Sequence, residues 1–195
     1  MRPICKVPAI TALSAALLFV LPAVAQLRGS VHDFSSKGWS GGDMCAVCHV
    51  PHSARSEVGS APEWNHDVAT TVYSLYSSRT LTQRPEQPGY DNVSRLCLSC
   101  HDGTIALDSF GGNAGQNYIP ERSSLGTDLS NDHPIAIRWA GQGGDSGMPG
   151  EGVKLYAGKV ECPSCHDVHN NEVSDDKLLR VSRQGSELCF KCHDK

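Results

Sequence analysis

Cys45-Ala-Val-Cys48-His49 is the first of four copies of one pattern, followed by Cys97-Leu-Ser-Cys100-His101, Cys162-Pro-Ser-Cys165-His166 and Cys189-Phe-Lys-Cys192-His193. These copies use every cysteine except Cys5. Two thiols separated by two residues on a helical turn can each form a thioether with one vinyl group of a haem, and the adjacent histidine can then bind the iron. The copies therefore predict four covalently bound c-type haems, with these cysteines as attachment sites and these histidines as proximal iron ligands.

Other uses of paired cysteines explain less of the pattern. Two Cys-x-x-Cys pairs can build a four-thiolate zinc site. Exported proteins also use cysteines in disulfides or as redox-active pairs. None of these explains why a histidine directly follows the second cysteine in every copy, whereas haem attachment explains spacing, residue type and order together.

Each haem iron keeps one position open after the porphyrin and the motif histidine have bound it. Methionine is a common ligand there, but apart from Met1 the sequence offers only Met44 and Met148. We therefore expect bis-histidine ligation, with four of five further histidines as distal ligands. The candidates are His32, His52, His66, His133 and His169.

Sequence context ranks these five candidates. His52 and His169 each stand three residues after a motif histidine, too close to reach the far face of their own haem but well placed for a neighbouring one. His133, in Asp-His-Pro, and His32, followed by an aspartate, lie in polar segments that could present a ligand. His66, in Trp-Asn-His, ranks last, and the sequence leaves open which histidine is spare.

The N-terminus has the pattern of a secretory signal peptide. Two basic residues precede an apolar run from Ala9 to Leu21, and Ala23-Val-Ala25 is a small-residue cleavage site, so residues 1–25 are predicted to be removed. The apolar run is too short for a transmembrane helix. We expect an extracellular or cell-surface location, with the periplasm as the alternative.

Composition limits both the partners and the fold. Loss of the signal segment removes two basic residues and no acidic residue, which changes the formal net charge from −4 to −6 and argues against a nucleic-acid partner. Long apolar runs are missing from the remaining chain. We therefore expect a multihaem cytochrome c fold, mostly irregular coil with short helices packed around four haems and little or no sheet, that depends on its cofactors.

An internal doubling organises the chain. The first and third motifs continue to a histidine three residues on, while the second and fourth share a preceding leucine and a following aspartate. We predict one tetrahaem domain over 26–195, built from a doubled two-haem unit with halves of about 26–110 and 111–195.

Other local predictions follow from residue spacing. Short helices are expected around the motifs and, from apolar periodicity, at Asp67–Ser77 and Asp176–Val181. Glycine-rich loops are expected at 111–115 and 141–152. Asp128, Asn131 and Asp132 could supply oxygens to calcium, although solvated loop acids are the commoner use of such residues.

The phrases around the motifs resemble a known family. They are similar to the doubled Cys-x-x-Cys-His multihaem c-type cytochromes, and the four-haem content looks most like the filament-forming, outer-surface cytochrome E type. The resemblance implies bis-histidine haems arranged as a wire in an extracellular homopolymer, and it allows one axial histidine to come from the adjoining subunit. The phrases are Cys-His-Val-Pro-His52, Ala61-Pro-Glu-Trp-Asn-His66, Tyr73-x-x-Tyr-Ser-Ser78, Leu96-Cys-Leu-Ser-Cys-His-Asp-Gly-Thr-Ile105 and Asp128-Leu-Ser-Asn-Asp-His-Pro-Ile135.

Electron transfer without catalysis is the function that these features predict. The leading expectation is a subunit of an extracellular cytochrome filament that delivers electrons to external acceptors. A soluble periplasmic tetrahaem shuttle is the alternative. A haem reductase would need an open iron position, and the sequence has neither a Cys-x-x-Cys-Lys variant nor a shortage of histidines.

Overall fold

The computed structural model of the chain describes residues 27–59, 61, 63–141, 149–169 and 178–194. The predicted signal peptide, including Cys5, lies outside the described residues, as does Met148. None of the described helices is long and apolar enough to cross a membrane.

Regular structure is sparse, as predicted, and most described residues are coil or turn. The α-helices are α1 (Val93–His101), α2 (Cys162–Cys165) and α3 (Glu187–Phe190), and short 3-10 helices span Ser35–Lys37, Glu121–Ser123 and Gln184–Ser186. The strands are β1 (Ser74–Leu75), β2 (Asp128–Leu129), β3 (Ile137–Arg138) and β4 (Lys159–Val160).

Two small sheets join distant parts of the chain. β1 pairs in parallel with β2, with Leu75 opposite Leu129. β3 pairs antiparallel with β4, with Ile137 opposite Val160. Each sheet has two strands of two residues, so the sheets hold loops in register but build no layer.

Helix α1 is the longest described helix, and it carries the whole second motif. The Asn92 side chain caps its start by accepting from the Ser94 N–H at 2.9 Å, which satisfies a backbone donor that has no partner within the helix. Leu98 of α1 packs with Tyr73 and Leu129 into a small apolar cluster. This cluster anchors α1 to the β1–β2 sheet.

The predicted helix over Asp67–Ser77 is wrong, because this segment is extended and contains β1. Its backbone groups bond to side chains of α1. The Ala69 N–H donates to Ser99 Oγ at 2.9 Å, and the Arg95 guanidinium donates to the carbonyls of Ala69 and Thr71. These tertiary hydrogen bonds override a weak helical periodicity.

The other local predictions have mixed outcomes. Of the predicted helix at Asp176–Val181, residues 178–181 are described and are not helical, and the rest lies outside the described residues. Residues 111–115 form a loop, as predicted, and the described ends of the 141–152 segment are also irregular.

Glu161 fixes the third motif against the second. Its carboxylate is 2% exposed and accepts from Asn92 Nδ2 at 2.7 Å and from Ser94 Oγ at 2.5 Å, both at the start of α1. Ser94 Oγ in turn accepts from the Cys162 backbone N–H at 2.9 Å. Ser164 completes a capping box with Glu161 at the start of α2. A buried carboxylate needs such donors, so this one acid joins the two helices that carry haem motifs.

We expect Glu161→Gln to lower the free energy of unfolding by about 1–3 kcal/mol, because the glutamine amide nitrogen would face a donor where an acceptor is needed. Thermal unfolding of the haem-loaded protein measures the change. Glu86→Gln is the matched control, since Glu86 bonds Lys159 at 2.6 Å on the exposed surface, where an ion pair contributes little. Equal melting temperatures for the two variants would contradict the role of Glu161.

Candidate haem-binding site

Each motif forms one tight turn that brings its cysteines and histidine together. In the first, third and fourth motifs the histidine N–H donates to the carbonyl of the first cysteine, at 2.8, 3.1 and 2.9 Å. The second motif forms the same turn within α1. Helices therefore surround the last three motifs as predicted, whereas the first is a turn without a helix. Cysteines three positions apart on such a turn lie on the same face, which suits two thioethers to one ring.

All eight motif cysteines are free thiols. Burial raises the pKa of Cys48 to about 11 and that of Cys100 to about 12. Both thiols are therefore protonated at neutral pH in the chain without haem. Reduced thiols are the form that can add to the vinyl groups of a haem.

The motifs lie close to one another. A side-chain hydrogen bond to Cys162 and then burial raise the pKa of Cys97, and the nearby Cys48 contributes in the same direction. Burial and then the nearby Cys192 raise the pKa of Cys165. The second motif therefore lies near the first and the third, and the third motif lies near the fourth.

Three motif histidines each face a second imidazole. The ring centroids are 6.0 Å apart for His32 and His101, 6.2 Å for His49 and His169, and 6.3 Å for His133 and His193. Two imidazoles that bind one metal ion from opposite sides have centroids about 6 Å apart, because each metal–nitrogen bond is about 2 Å long. The spacing of all three pairs therefore fits an iron held between two histidines.

The charge state of His32 also suits ligation. Burial, with His101 and His166 nearby, lowers the pKa of His32 to about 4. Its imidazole is consequently neutral at physiological pH. The neutral ring is the form that binds a metal.

The remaining two candidates, His52 and His66, have different surroundings. His52 is exposed in the loop after the first motif. His66 is 1% exposed, with Nδ1 2.8 Å from the Asp67 carbonyl oxygen and Nε2 3.1 Å from the Ala106 carbonyl oxygen. Its Nε2 also lies 3.6 Å from Cys100 Sγ. Both ring nitrogens of His66 therefore contact groups of the protein itself.

Buried nitrogens without a hydrogen-bond partner also lie beside the motifs. Among the described residues they are His32 Nδ1, Arg55 Nε and Trp64 Nε1. Trp64 contacts the ring of His49 edge-on, with centroids 5.9 Å apart. A buried donor without an acceptor costs about 1–3 kcal/mol. A bound group that carries carboxylates, as haem does, could supply the missing acceptors.

Other metal sites receive no support from this arrangement. In the described part of the chain, no three or more His, Cys, Asp or Glu side chains form a group that could hold a metal ion. Zinc and calcium sites need more protein ligands than two, whereas axial ligation of haem needs two per iron. Of the calcium candidates, Asp128 instead accepts from the Ser130 N–H at 3.1 Å.

Two residues of this region were not predicted from the sequence. Trp64 lies against the ring of His49, and Glu161 joins the second and third motifs. The only sequence signal for Glu161 is its position directly before Cys162. Trp64 stands two residues before a candidate ligand, but that spacing has no established meaning for haem binding.

Comparison with known proteins supports the haem interpretation. Residues 155–195, which contain the third and fourth motifs, match the family model described as the doubled CXXCH motif. No curated protein matches the chain. The match indicates covalently bound haem c and supports a multihaem c-type cytochrome that acts in electron transfer.

Loss of one motif's thiols should remove one haem and leave the others. For Cys162→Ser combined with Cys165→Ser, we expect denaturing mass spectrometry to show one covalent haem fewer than in the unchanged protein, because only thioethers survive denaturation. Lys191→Gln, a change inside the fourth motif but outside its ligand set at a partly exposed side chain, is the control and should retain every haem. A double variant that carries as many covalent haems as the unchanged protein would contradict attachment at the third motif.

Proposed function

We propose that the protein transfers electrons through four c-type haems with bis-histidine ligation and catalyses no reaction itself. The three facing imidazole pairs carry this proposal, since each offers one iron two protein ligands. The match to the doubled CXXCH motif supports the attachment chemistry.

The chain's residues would hold and insulate the cofactors. The motif cysteines would anchor each haem, and the proximal and distal histidines would occupy both axial positions. Haem supplies the reversible one-electron change, while the protein supplies its position and surroundings. With both axial positions filled, no iron would be open to a substrate.

The grouping of the thiols supports electron exchange between haems. The Cys97 and Cys162 thiols are hydrogen-bonded, and Cys192 lies near enough to Cys165 to raise its pKa. The second motif therefore lies near the first and the third, and the third lies near the fourth. In this arrangement the third haem would connect the N-terminal pair to the last haem.

The spin state of the haem iron tests the proposal. We expect the purified, oxidised protein to contain four haems by pyridine haemochrome assay and to be low-spin throughout by electron paramagnetic resonance, since two histidines per iron give a strong ligand field. Reduction with dithionite should be fully reversible in air. A high-spin signal from one haem in four would instead support an open position and a reductase.

A filament is the assembly that we propose for this electron conduit, and it rests on the resemblance to the filament-forming cytochromes. Val31, beside His32, is 77% exposed, and Phe190, inside the fourth motif, is 47% exposed. In such a filament these two side chains, one near each end of the described residues, would contact the next copy. The protein would then be secreted and deliver electrons to extracellular acceptors.

Size-exclusion chromatography and negative-stain electron microscopy of the secreted fraction test this assembly. We expect filaments in the unchanged protein and fewer or shorter ones for Phe190→Ser, because the substitution removes apolar contact area at the proposed interface. Tyr118→Ser, which changes another exposed aromatic residue, is the control. Uniform particles of monomer size for the unchanged protein would support a soluble periplasmic shuttle instead.

Donation of His32 to the adjoining subunit stays a prediction. Within the single chain His32 lies 6.0 Å from His101, which favours ligation inside the same copy. For His32→Ala we expect one haem to become high-spin while assembly persists. If His32→Ala abolishes the filaments and also makes one haem high-spin, exchange of His32 between copies is favoured.

A further inference from the structure

The backbone repeats around the first and third motifs. After the first motif, the Val50 N–H donates to the Glu63 carbonyl at 2.9 Å, and the Asn65 N–H donates to the Cys48 carbonyl at 2.8 Å. The segment that follows Cys48 is therefore held against residues 63–65, and we call residues 48–52 and 63–66 together the clamp of the first motif.

The third motif has the same pair of bonds, and we call residues 165–169 and 178–181 together its clamp. The Asp167 N–H donates to the Leu178 carbonyl at 2.7 Å, and the Arg180 N–H donates to the Cys165 carbonyl at 2.8 Å. The motif histidines bridge equivalent residues, His49 with Trp64 and His166 with Leu179.

Backbone conformation strengthens this equivalence. Glu63 and Leu178, which accept the first bond in the two clamps, both have a φ of 54°. Residues other than glycine rarely adopt this left-handed conformation. Its presence at both positions shows that the two clamps are one structural unit used twice.

The two clamps define which residues correspond. Glu63 matches Leu178 and Asn65 matches Arg180, so the next residue, His66, matches Val181. On the motif side, His52 matches His169, because each follows its motif histidine by three residues. His52 thus corresponds to another candidate ligand, His169, whereas His66 corresponds to a valine, Val181.

This correspondence assigns the fourth distal ligand. His169, in the clamp of the third motif, faces His49, in the clamp of the first, with ring centroids 6.2 Å apart. If the two clamps meet about a local two-fold axis, as equivalent surfaces do in a two-fold dimer, the reciprocal of this contact joins His52 to His166. Resting on the proposed function, we infer that the two clamps exchange distal ligands, so that His169 binds the iron of the His49 haem and His52 binds that of the His166 haem.

His66 is then the spare histidine. Val181, its counterpart, is 7% exposed and cannot bind iron, yet it fills the equivalent buried position. His66 fills its own position at 1% exposure, with both ring nitrogens near backbone carbonyl oxygens and Nε2 3.6 Å from Cys100 Sγ. Its role is to pack against the second motif and to bond the backbone there, not to ligate a haem.

Two substitutions in the full-length, haem-loaded protein test this assignment. His52→Ala should convert one haem of four to the high-spin state, because water or no ligand would replace the imidazole. His66→Val introduces the residue that stands at the equivalent position of the other clamp, and it should leave every haem low-spin. Electron paramagnetic resonance measures spin state, and denaturing mass spectrometry counts haems in both variants.

His52→Met covers the case in which another side chain takes over the vacant position. Methionine opposite histidine raises the reduction potential of a c-type haem, so one of four potentials should move upwards in a spectroscopic titration. A low-spin His52→Ala protein with unchanged potentials for His52→Met would overturn the assignment, as would a high-spin haem in the His66→Val protein.

The outcomes separate this inference from the proposed function. Four haems in the unchanged protein, all low-spin, would uphold bis-histidine electron transfer whatever the His52 and His66 variants show. Fewer than four haems in the unchanged protein would contradict the proposed function itself. A ligand assignment that fails in a protein with four low-spin haems therefore fails alone.

Discussion

Two imidazoles that face each other at about 6 Å form the contact on which the rest of this structure depends. The apolar cluster of Tyr73, Leu98 and Leu129 is small, and the sheets contain strands of two residues. Such elements cannot by themselves compensate the conformational entropy of ordering so many loop residues. Under the proposed function, ligation that joins two distant segments to one cofactor would supply the missing constraint, much as metal binding does in other small domains.

The sequence predicts the chemistry of the site better than its surroundings. The cysteine and histidine spacing is dictated by a haem, so the motifs and the coil-rich fold follow from residue order and composition alone. Residue order does not predict which candidate distal histidine faces which motif histidine, because that pairing depends on which loops meet. His49 and His169 belong to opposite ends of the chain, and nothing in their local sequence specifies the contact.

The wrong helix at Asp67–Ser77 has the same physical origin. Its apolar spacing is compatible with a helix, but its backbone groups find partners in Arg95 and Ser99 of α1. In a protein with little regular structure, side chains satisfy backbone groups that a helix or sheet would satisfy elsewhere. Local patterns therefore carry less information here than in a chain with a large core. For His66 the local pattern was informative. Its sequence context ranked it last among the candidate ligands, and its burial among backbone carbonyls agrees with that ranking.

The contact between the rings of His49 and His169 also has a consequence for the order of folding. A chain is synthesised from its N-terminus, so the first motif is complete long before its distant partner exists. Contacts between residues far apart in sequence form slowly, because a long loop must close first. During that interval His66, the nearer buried imidazole, would compete for the same iron. Burial of His66 against the Asp67 and Ala106 carbonyls would withdraw this competitor as the first half folds and so favour correct pairing when the second half arrives.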